Sequence, residues 1–585
     1  MGRNPVAGGA RIESIVRMHP TRLLSAVAAL AAIASLGCAP SRTSPLATPS
    51  GYDIIIANGK VVDGTGNAWF YGDVGIVNDR ITRVAPAGTL GSARTKRLID
   101  ARGLVVSPGF IDIQSHSWDQ LLWHDGRVLG KVTQGVTTEI LGESTTPAPV
   151  NDAMMALLEI PDTLPRLVEL HRTFRGAHGF GAWLDAMGRH ANSVNVGSYL
   201  GATTVRAYAM GQRQGDPTPA ELDTMRAVVR RAMEDGAFGI SSALIYPPGS
   251  YASTNELIES AKVMSPFHGA YITHMRSEDD QLFEAMDEAF RIGVEGGVTV
   301  DIYHLKASGR SNLSKAAHMV AKIDSARASG LDVAATMYPY AASGNNLSAC
   351  FPGWVREGGK MMANLRDPAT RARLVADMTK SGSCDPSQSS HAVVGFTRPE
   401  LKKYEGWRID AIMKDMNRLT PDVVIELTLA ESDRLGKINF SMSEENVAMQ
   451  LKRPWVVIGS DAGGHDPDSA KGLTHPRAYG TFPRILGKYV REDSLFTLEE
   501  AVRKMSGATA ARLKLRDRGL LREGMYADVV VFDPVAIRDL ATFDQPHQLS
   551  VGVKHVLVNG VAVVAEGKHT GATPGRVVRG VGWVH

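Results

Sequence analysis

Two histidines, His274 and His304, stand 30 residues apart in the sequence, each at the end of a short apolar run. The runs cover residues 271–274 and 298–304, and their composition is typical of strands that are buried on both faces of a sheet. Between them, the apolar residues of 281–296 recur at a helical spacing with one buried face. A strand, a helix and a second strand of this length predict one βαβ unit. Both imidazoles are then expected at the carboxyl-end edge of a parallel sheet, where α/β enzymes build their sites.

These histidines have two interpretations. Hydrogen-bonded histidines near a core are common, and for a single histidine this is the simpler interpretation. Here two imidazoles occupy equivalent strand ends, and a cation follows each of them by two residues, Arg276 in one case and Lys306 in the other. The repeated arrangement favours the second interpretation, that His274 and His304 are metal ligands.

Other predicted strands also end in side chains that can do chemistry: His116, Glu143, Tyr246, Tyr338 and Asp461. Imidazoles and carboxylates together suit zinc or a similar metal ion. Three such ligands with an open fourth position would hold a water molecule and lower its pKa towards neutrality. Asp461, in the motif GSDAG, could then carry the proton of that water to a leaving group. The alternative for Asp461 is an aspartate that caps a helix or forms a turn.

Eight apolar runs, which alternate with helical patterns, must position these side chains. In chain order they are VVSPGFIDIQSH, TTEILGE, VNVGSYLGA, AFGISSALIYPP, AYITHM, TVDIYHLK, DVAATMYPY and WVVIGSDAG. Eight parallel strands with intervening helices match the count of a (β/α)8 barrel, so the predicted fold class is α/β. Residues 344–452 are too long for a connection between a strand and a helix, which predicts an inserted subdomain or lid.

Both ends of the chain carry short β patterns. Residues 52–63 and 553–564 each predict two strands joined by an Asn-Gly turn, at Asn58 and at Asn559. Residues 527–533 predict a further strand, so we expect one small β-sandwich built from both chain ends, with the barrel inserted into it. The predicted boundaries are 1–50 for a signal peptide and linker, 51–107 and 517–585 for the sandwich, 108–343 and 453–516 for the barrel, and 344–452 for the insert.

The composition limits the classes to which the protein can belong. The 585 residues are 44% apolar and 21% charged, which is typical of a soluble globular protein with a large core. The formal net charge is +3 and there is no substantial basic run, so nothing indicates nucleic-acid binding. Three cysteines exclude a disulfide framework. Cys350 and Cys384 could pair in an oxidising compartment, but we expect them to stay unpaired. No pattern indicates an oligomeric state.

The first 50 residues have the pattern of a bacterial secretory signal. Residues 23–37 form an uncharged apolar run after Arg22, followed by Cys38 and a stretch rich in proline, serine and threonine. The run is short for a membrane span, and Leu36-Gly37-Cys38 also resembles a lipoprotein cleavage site. We therefore expect export, either to the periplasm or to the outer membrane, where a lipidated Cys38 would tether the protein.

A series of motifs carries a resemblance to a known family. In chain order they are PGFIDIQSH, KVTQGVTTEILGE, DGAFGISSALIYPPGSYA, THMR, HLKASG, MYPY, GSDAG and HPRAYGTFPRIL. Together with the split β-sandwich, they resemble the amidohydrolase superfamily, and more closely its N-acyl-D-amino-acid deacylase (D-aminoacylase) branch, over about residues 52–576. The resemblance implies zinc-dependent hydrolysis of the amide bond in a small N-acylated amino acid of D configuration.

Two alternatives to this activity stay open. One is a hydrolase of cyclic amides, of the hydantoinase or dihydroorotase type. Those enzymes generally bridge two metals with a carboxylated lysine after strand four, whereas the corresponding stretch here, GISSALIYPPG, contains no lysine. The other alternative is a non-catalytic binding protein on the same barrel.

The resemblance also implies roles for individual residues. His274 and His304 match ligands of the tightly held metal, and Asp461 matches the catalytic acid/base. The candidates to contact the substrate are Lys306, Tyr246, Tyr338, Arg276 and Arg477.

The loop after Asp461 contains further polar residues. For Arg477, the alternative to substrate contact is an ion pair that pins this loop. His465, Asp466 and His475 are expected to order the loop rather than to bind metal.

Two departures from the family pattern bear on the metal count. Members usually show His-x-His after the first strand, whereas this chain has Gln114-Ser115-His116. D-aminoacylases usually place a bridging cysteine after the second strand, and here Glu143 stands in that region. Glu143 is therefore predicted as the third ligand of one tight zinc site, with His116 as a further candidate ligand. An amide is a poor substitute for an imidazole, so a second metal is doubtful.

Overall fold

The computed structural model describes residues 51–157, 165–387 and 389–584. The predicted signal segment, including Cys38, lies outside these residues. Among the residues described, no helix is both long enough and apolar enough to cross a membrane.

The strands and helices have the following bounds. The strands are β1 (Tyr52–Val61), β2 (Phe70–Val77), β3 (Arg80–Pro86), β4 (Thr95–Asp100), β5 (Val105–Pro108), β6 (Phe110–Asp112), β7 (Val136–Leu141), β8 (Asn195–Ser198), β9 (Leu200–Gly201), β10 (Gly239–Ala243), β11 (Ala270–His274), β12 (Thr299–Ile302), β13 (Val333–Met337), β14 (Ser343–Asn346), β15 (Ser390–Val394), β16 (Gly436–Phe440), β17 (Val456–Ile458), β18 (Val529–Phe532), β19 (Val553–Val558), β20 (Val561–Ala565) and β21 (Lys568–His569). The α-helices are α1 (Trp118–Leu122), α2 (Leu129–Val132), α3 (Asp152–Leu157), α4 (Pro165–Arg172), α5 (Gly179–Arg189), α6 (Ala202–Met210), α7 (Pro219–Glu234), α8 (Thr254–Met264), α9 (Leu282–Gly296), α10 (Lys315–Ala328), α11 (Met361–Arg366), α12 (Pro368–Ser381), α13 (Ile409–Met416), α14 (Thr420–Ala430), α15 (Glu444–Leu451), α16 (Arg477–Arg484), α17 (Leu498–Met505) and α18 (Gly507–Arg512).

Two parallel sheets run through the centre of the chain. One has the order β6-β7-β8 and the other the order β17-β13-β12-β11-β10-β9. Only Tyr199 separates β8 from β9, and a parallel bridge between Ser115 and Ala462 joins the residues after β6 to those after β17. Each of the eight apolar runs contains a strand of this series, which confirms the predicted α/β class.

The helix between the two histidine strands shows why the elements pack in this way. Its apolar residues, among them Leu282, Met286 and Ile292, are fully buried, because their spacing puts them on one face. The helix ends at Gly297, which has a φ of 67° and can adopt the left-handed cap without a Cβ clash. The strands on either side are buried along nearly their whole length. The predicted βαβ unit is confirmed.

An insertion separates β13 from β17. It contains the antiparallel sheet β14-β16-β15 and the helices α11 to α14, with a hydrophobic cluster of its own. Cys350 and Cys384 form a disulfide within it. The expectation that these two cysteines stay unpaired is therefore wrong.

A nine-stranded sheet joins the two ends of the chain. Its order is β21-β20-β19-β18-β5-β1-β2-β3, and β4 also pairs with β1, next to β5. The link between the ends is the antiparallel pair of β5 and β18. The run 105–116 is therefore divided: β5 belongs to this sheet, and β6 begins the parallel series.

The two predicted Asn-Gly turns have different outcomes. Asn559 and Gly560 connect β19 to β20 with positive φ angles of 47° and 78°, as a two-residue hairpin requires. Asn58 makes no hairpin, because β1 continues through it as one strand with an irregularity between Ile56 and Gly59. The predicted turn at Asn58 is wrong. The backbone N–H of Asn58 donates to the Asp73 carboxylate of β2 at 2.9 Å. The left-handed conformation of Asn58 therefore accompanies a contact with the neighbouring strand and not a turn.

Candidate active site

Side chains that can bind a metal ion or transfer a proton lie together at the carboxyl ends of the parallel strands. His274 is the last residue of β11, and His304 follows β12 by two residues. Glu143 follows β7 by two residues, and Asp461 follows β17 by three. His304 and Asp461 have positive φ angles of 35° and 52°, and strained backbone of this kind concentrates at functional sites.

Three of these residues form what we call the inner group: Glu143, His274 and His304. Glu143 Oε1 lies 3.4 Å from Nδ1 of His274 and 3.5 Å from Nε2 of His304, and all three side chains are buried. Ligand atoms at about 2.0–2.2 Å from a tetrahedral zinc ion lie about 3.4 Å from one another. The donor types and their spacing therefore fit a zinc ion.

A carboxylate that the sequence argument missed lies behind both imidazoles. Glu278 Oε1 is 3.1 Å from Nδ1 of His304, and its Oε2 is 3.6 Å from Nε2 of His274. That nitrogen of His274 is buried and has no hydrogen-bond partner among the described residues. Although burial opposes it, electrostatic interactions with the neighbouring His274, Lys306 and His304 lower the pKa of Glu278. Metal-bound histidines commonly place a carboxylate here, which fixes the ring that binds the metal. The available signal was its position, four residues after His274.

A second set, the outer group, consists of His116, Glu143 and Asp461. His116 Nε2 lies 2.9 Å from Asp461 Oδ1 and 3.5 Å from Glu143 Oε2. Burial disfavours the charged imidazole, but hydrogen bonds to these two carboxylates outweigh it and raise the pKa of His116 to about 9. Arg477 pairs with Asp461 Oδ2 at 2.7 Å. Against the cost of burial, Arg477 and His304 lower the pKa of Asp461 and keep it ionised.

Gln114 stands where the family pattern places an imidazole, and both ends of its amide are engaged. Its Nε2 donates to Glu143 Oε2 at 2.7 Å, and its Oε1 accepts from Thr336 Oγ1 at 2.9 Å. The side chain is buried, so these bonds are shielded from water. Gln114 thus orients the carboxylate that the inner and outer groups share.

A cavity of about 480 Å³ opens onto both groups. The sequence-predicted residues that line it are His116, Glu143, Tyr246, His274, His304, Asp461 and Arg477. The structure therefore brings Tyr246 and Arg477 to the same cavity as the candidate ligands.

Three other candidates for substrate contact do not line this cavity. Lys306 is buried and donates to Glu278 Oε1 at 2.6 Å. Arg276 pairs with both carboxylate oxygens of Glu288, at 2.9 Å each. Tyr338 lies under Arg477, whose guanidinium carbon is 4.6 Å from the ring centre. Lys306 and Tyr338 therefore support residues of the site, and Arg276 holds a neighbouring loop.

The polar residues after Asp461 anchor their loop. His465 Nδ1 lies 3.1 Å from the amide nitrogen of Gln120, and Asp466 pairs with Arg127 at 2.8 Å. His475 Nε2 lies 3.0 Å from a backbone carbonyl of the chain before β14. These contacts agree with the expectation that the three residues order the loop.

A buried lysine, which the sequence argument also missed, ties the two ends of the parallel series together. Lys131 Nζ donates to Asp112 Oδ2 and to Ser460 Oγ, at 2.5 Å each, and its side chain is fully buried. Asp112 is the last residue of β6, and Ser460 directly precedes Asp461. The ion pair fixes the backbone that carries Gln114 on one side and Asp461 on the other.

Comparisons with known proteins show which proteins this chain resembles. The model of the amidohydrolase family matches residues 97–564. A D-aminoacylase from Alcaligenes xylosoxydans xylosoxydans is 36% identical over 90% of this chain and 97% of its own length. The crystal structure of a D-aminoacylase superposes with a TM-score of 0.74 at 34% identity, over 90% of this chain and 100% of that one. An N-acyl-D-glutamate deacylase from Bordetella bronchiseptica, complexed with zinc and a phosphonate inhibitor, has a TM-score of 0.71 at 29% identity, with coverage of 90% and 100%.

The hydantoinases among the similar structures share the fold alone. An L-hydantoinase from Arthrobacter aurescens is 17% identical, with a TM-score of 0.52 over 90% of this chain and 100% of that one. Similarity to the D-aminoacylases is higher in sequence and in structure, over the same share of the chain. The chain therefore belongs to the amidohydrolase family, and within it to the D-aminoacylase branch.

Proposed function

We propose that this protein hydrolyses the amide bond of N-acyl-D-amino acids with one tightly held zinc ion. The observation that carries the proposal is the inner group, two buried imidazoles and a carboxylate at ligand spacing, next to an ionised Asp461 in the same cavity. The relatives named above, which act on N-acyl-D-amino acids, support the substrate class.

Zinc would be held by Glu143, His274 and His304. Support comes from the zinc complex of the related deacylase and from a D-aminoacylase structure described by one-metal activation and second-metal attenuation. When bound at such a site, zinc acidifies water and polarises a carbonyl oxygen.

Asp461 is the group that moves the proton. Its pKa is lowered, so the carboxylate is ionised near neutral pH and can accept a proton from the attacking water. As the new C–O bond forms and the C–N bond breaks, that proton passes from Asp461 to the departing amine. The products are the free D-amino acid and a carboxylate from the acyl group. His116 and Arg477 hold the two oxygens of Asp461 in place throughout.

The alternatives are weaker on specific grounds. A bridging lysine of the cyclic-amide type would follow the fourth strand, but β10 carries none and the shared position between the two groups is held by Glu143. A non-catalytic binding protein would not need an ionised aspartate, two histidines with a carboxylate behind them, and residues with positive φ angles at the same place.

We also propose the finer architecture and the location. The parallel series, with β8 and β9 counted as one strand, forms a closed (β/α)8 barrel of eight strands, and the Ser115–Ala462 bridge supports its closure. A sandwich from both chain ends and a lid of residues 344–452 complete the architecture. The mature protein is exported and begins at or after Cys38. The disulfide of Cys350 and Cys384 supports export, because such bonds persist mainly in oxidising compartments.

A substrate screen tests the proposed function. Zinc-loaded protein is assayed with pairs of N-acetyl-D- and N-acetyl-L-amino acids, and the zinc content is measured on the same preparation. We expect hydrolysis of D substrates, with weak or no turnover of their L partners. Preference for L substrates would overturn the stereochemistry, and zinc-loaded protein without any amidase activity would overturn the function.

A further inference from the structure

A second cavity lies beside the one that holds the candidate metal ligands. It has a volume of about 670 Å³ and is lined by the insertion and by the loops after β10, β11 and β12. Asn345 lines both cavities, so at this point the wall between them is one residue thick. Nothing in the proposed mechanism uses this space.

The insertion turns a polar sheet face towards the second cavity. Side chains alternate between the two faces of a strand, and here the alternation separates polar from apolar residues. The face on the cavity carries Ser343, Asn345, His391, Lys437, Asn439 and Ser441. On the strands between them, Ala392, Val394 and Ile438 pack in an apolar cluster. His391, Lys437, Asn439 and Ser441 are buried, and hydrogen bonds within the face satisfy their polar groups. What these bonds do not supply is a negative charge opposite Lys437.

Lys437 is the feature of this face that points to a ligand. It lies on the central strand β16 and is only 5% exposed. Its Nζ donates to Asn439 Oδ1 at 2.7 Å, but it forms no ion pair with any carboxylate of the described residues. Burial without a compensating acid lowers the pKa of Lys437 to about 7. A cation in this position lacks the counter-charge that buried charges normally have.

The other charged residues of the cavity already have partners. Arg276 pairs with Glu288, and Glu278 pairs with Lys306. Asp279 accepts from Ser277, Asp280 accepts from Asn312, and Asp385 accepts from the backbone N–H of Ser387.

We propose that the polar face of β14 to β16 is a subsite for a substrate carboxylate remote from the scissile amide, with Lys437 as its ion-pair partner. The inference rests on the proposed function and names its substrate class: an N-acyl-D-amino acid with a second carboxylate. That carboxylate is carried either by the amino-acid side chain or by the acyl group. The serine hydroxyls of the same face provide further donors to it.

Paired substrates test the subsite and distinguish the two sources. N-acetyl-D-glutamate is compared with N-acetyl-D-glutamine, and N-succinyl-D-leucine with its succinamoyl analogue, in zinc-loaded wild type and Lys437→Met. We expect wild type to favour the charged member of one pair, and the variant to reduce that kcat/KM preference about tenfold or more, since hydrogen bonds to charged groups are strong. The substrate pair whose preference changes in the variant shows whether the second carboxylate belongs to the amino-acid side chain or to the acyl group. Unchanged preferences in both pairs would overturn the subsite.

Matched variants separate this effect from general damage. Lys380→Met removes an exposed lysine of the same insertion and should leave both preferences unchanged. Lys437→Arg keeps the charge and should retain most of the preference. If Lys437→Met is not recovered folded, the uncharged Lys437→Gln takes its place.

Binding of glutarate gives a readout that does not depend on turnover. Calorimetric titration should detect glutarate binding to wild type and to Lys380→Met, and at least about tenfold weaker binding to Lys437→Met. This result would support the subsite even if wild type hydrolysed no N-acyl-D-amino acid, in which case the proposed function fails alone. Equal binding of glutarate to all three proteins would overturn the subsite.

Discussion

The inner and outer groups share Glu143 but differ in what surrounds their other members. In the inner group, the far nitrogens of His274 and His304 both face Glu278. In the outer group, His116 and Asp461 bond to each other, and Arg477 neutralises the carboxylate from its other side. Glu278 thus lies 3.1 Å from His304 Nδ1 and 3.6 Å, beyond hydrogen-bond distance, from His274 Nε2, and both imidazoles line the cavity. The outer residues are already satisfied by one another.

This difference assigns different chemistry to the two groups. A metal ion needs donor atoms whose lone pairs become available once any proton is displaced, and the inner group offers them. A proton carrier needs a carboxylate that is held in place and ionised at working pH, and Asp461 is held in this way. Glu143 connects the two, because one of its oxygens faces each group.

The largest effect is expected from His304→Ala. It leaves two inner ligands, so zinc should be lost on dialysis, and kcat/KM should fall at least ~1,000-fold because water without the ion has a pKa of about 15.7 rather than about 7. Elemental analysis and kinetics on the dialysed protein are the measurements. His318→Ala, which removes an exposed histidine, should change neither quantity. Retention of zinc by His304→Ala would move the metal site elsewhere.

Asp461→Asn should separate the groups most clearly. The amide is isosteric, so fold and zinc content should be unchanged, while loss of the proton carrier should lower kcat ~100- to 10,000-fold. Zinc content and kcat are measured on one preparation. The matched control is Asp468→Asn, an exposed aspartate of the same loop, which should behave like wild type. Normal turnover by Asp461→Asn would assign the proton transfer to another group.

Glu278→Gln tests what lies behind the inner imidazoles. The amide keeps the size of the side chain but removes the charge that orients both rings, so zinc affinity should fall ~10- to 100-fold. Competition with a chelator measures this affinity. Glu284→Gln changes an exposed carboxylate on α9 and should have no effect. An unchanged affinity in Glu278→Gln would mean that the imidazoles are fixed by packing alone.

The pH dependence of zinc binding should also distinguish the groups. In the metal-free protein, burial and Lys306 oppose charge on His304, but Glu278, Asp461 and Glu143 outweigh them and raise its pKa to about 9. Zinc must displace that proton, so affinity should rise about tenfold per pH unit below pH 9 and level off above it. His116→Gln should keep this slope, because His116 is not an inner ligand. A flat profile between pH 7 and 9 would show that His304 is neutral before zinc binds.

The sequence predicts where the chemistry lies better than which side chains face it. Strand ends follow from apolar periodicity, and so Glu143, His274, His304 and Asp461 meet as expected. The direction of a side chain beyond a strand depends on the following loop and on distant partners. Lys306 and Arg276 have the same spacing from their histidines, yet Lys306 supports the site and Arg276 turns away to Glu288.

Sequence signals for local structure fail for the same reason, where a contact with a residue distant in the sequence determines the conformation. Asn58 and Asn559 have the same dipeptide signal and the same left-handed backbone. Only Asn559 forms a hairpin, because Asp73 of the neighbouring strand binds the backbone of Asn58 within a continuous strand. Lys131 carries no sequence pattern of its own, since its role depends on buried partners that come from other elements. Glu278 has only its position four residues after His274 as a signal.

The smallest and most specific effect is expected from Gln114→His. An imidazole at this position would replace the amide bonded to Glu143 Oε2 and give the outer group a second imidazole beside His116. Zinc retained after dialysis should then rise from about one towards about two ions per chain, because imidazole is a good zinc ligand and an amide is a poor one.

The second ion would coordinate Asp461 and occupy the lone pair that accepts the proton, so kcat should fall a few-fold as zinc is added. Gln114→Leu should stay at one ion without this inhibition. A second ion in Gln114→His that leaves kcat unchanged would show that Asp461 can bind metal and move protons at the same time, and the division between the two groups would then be wrong.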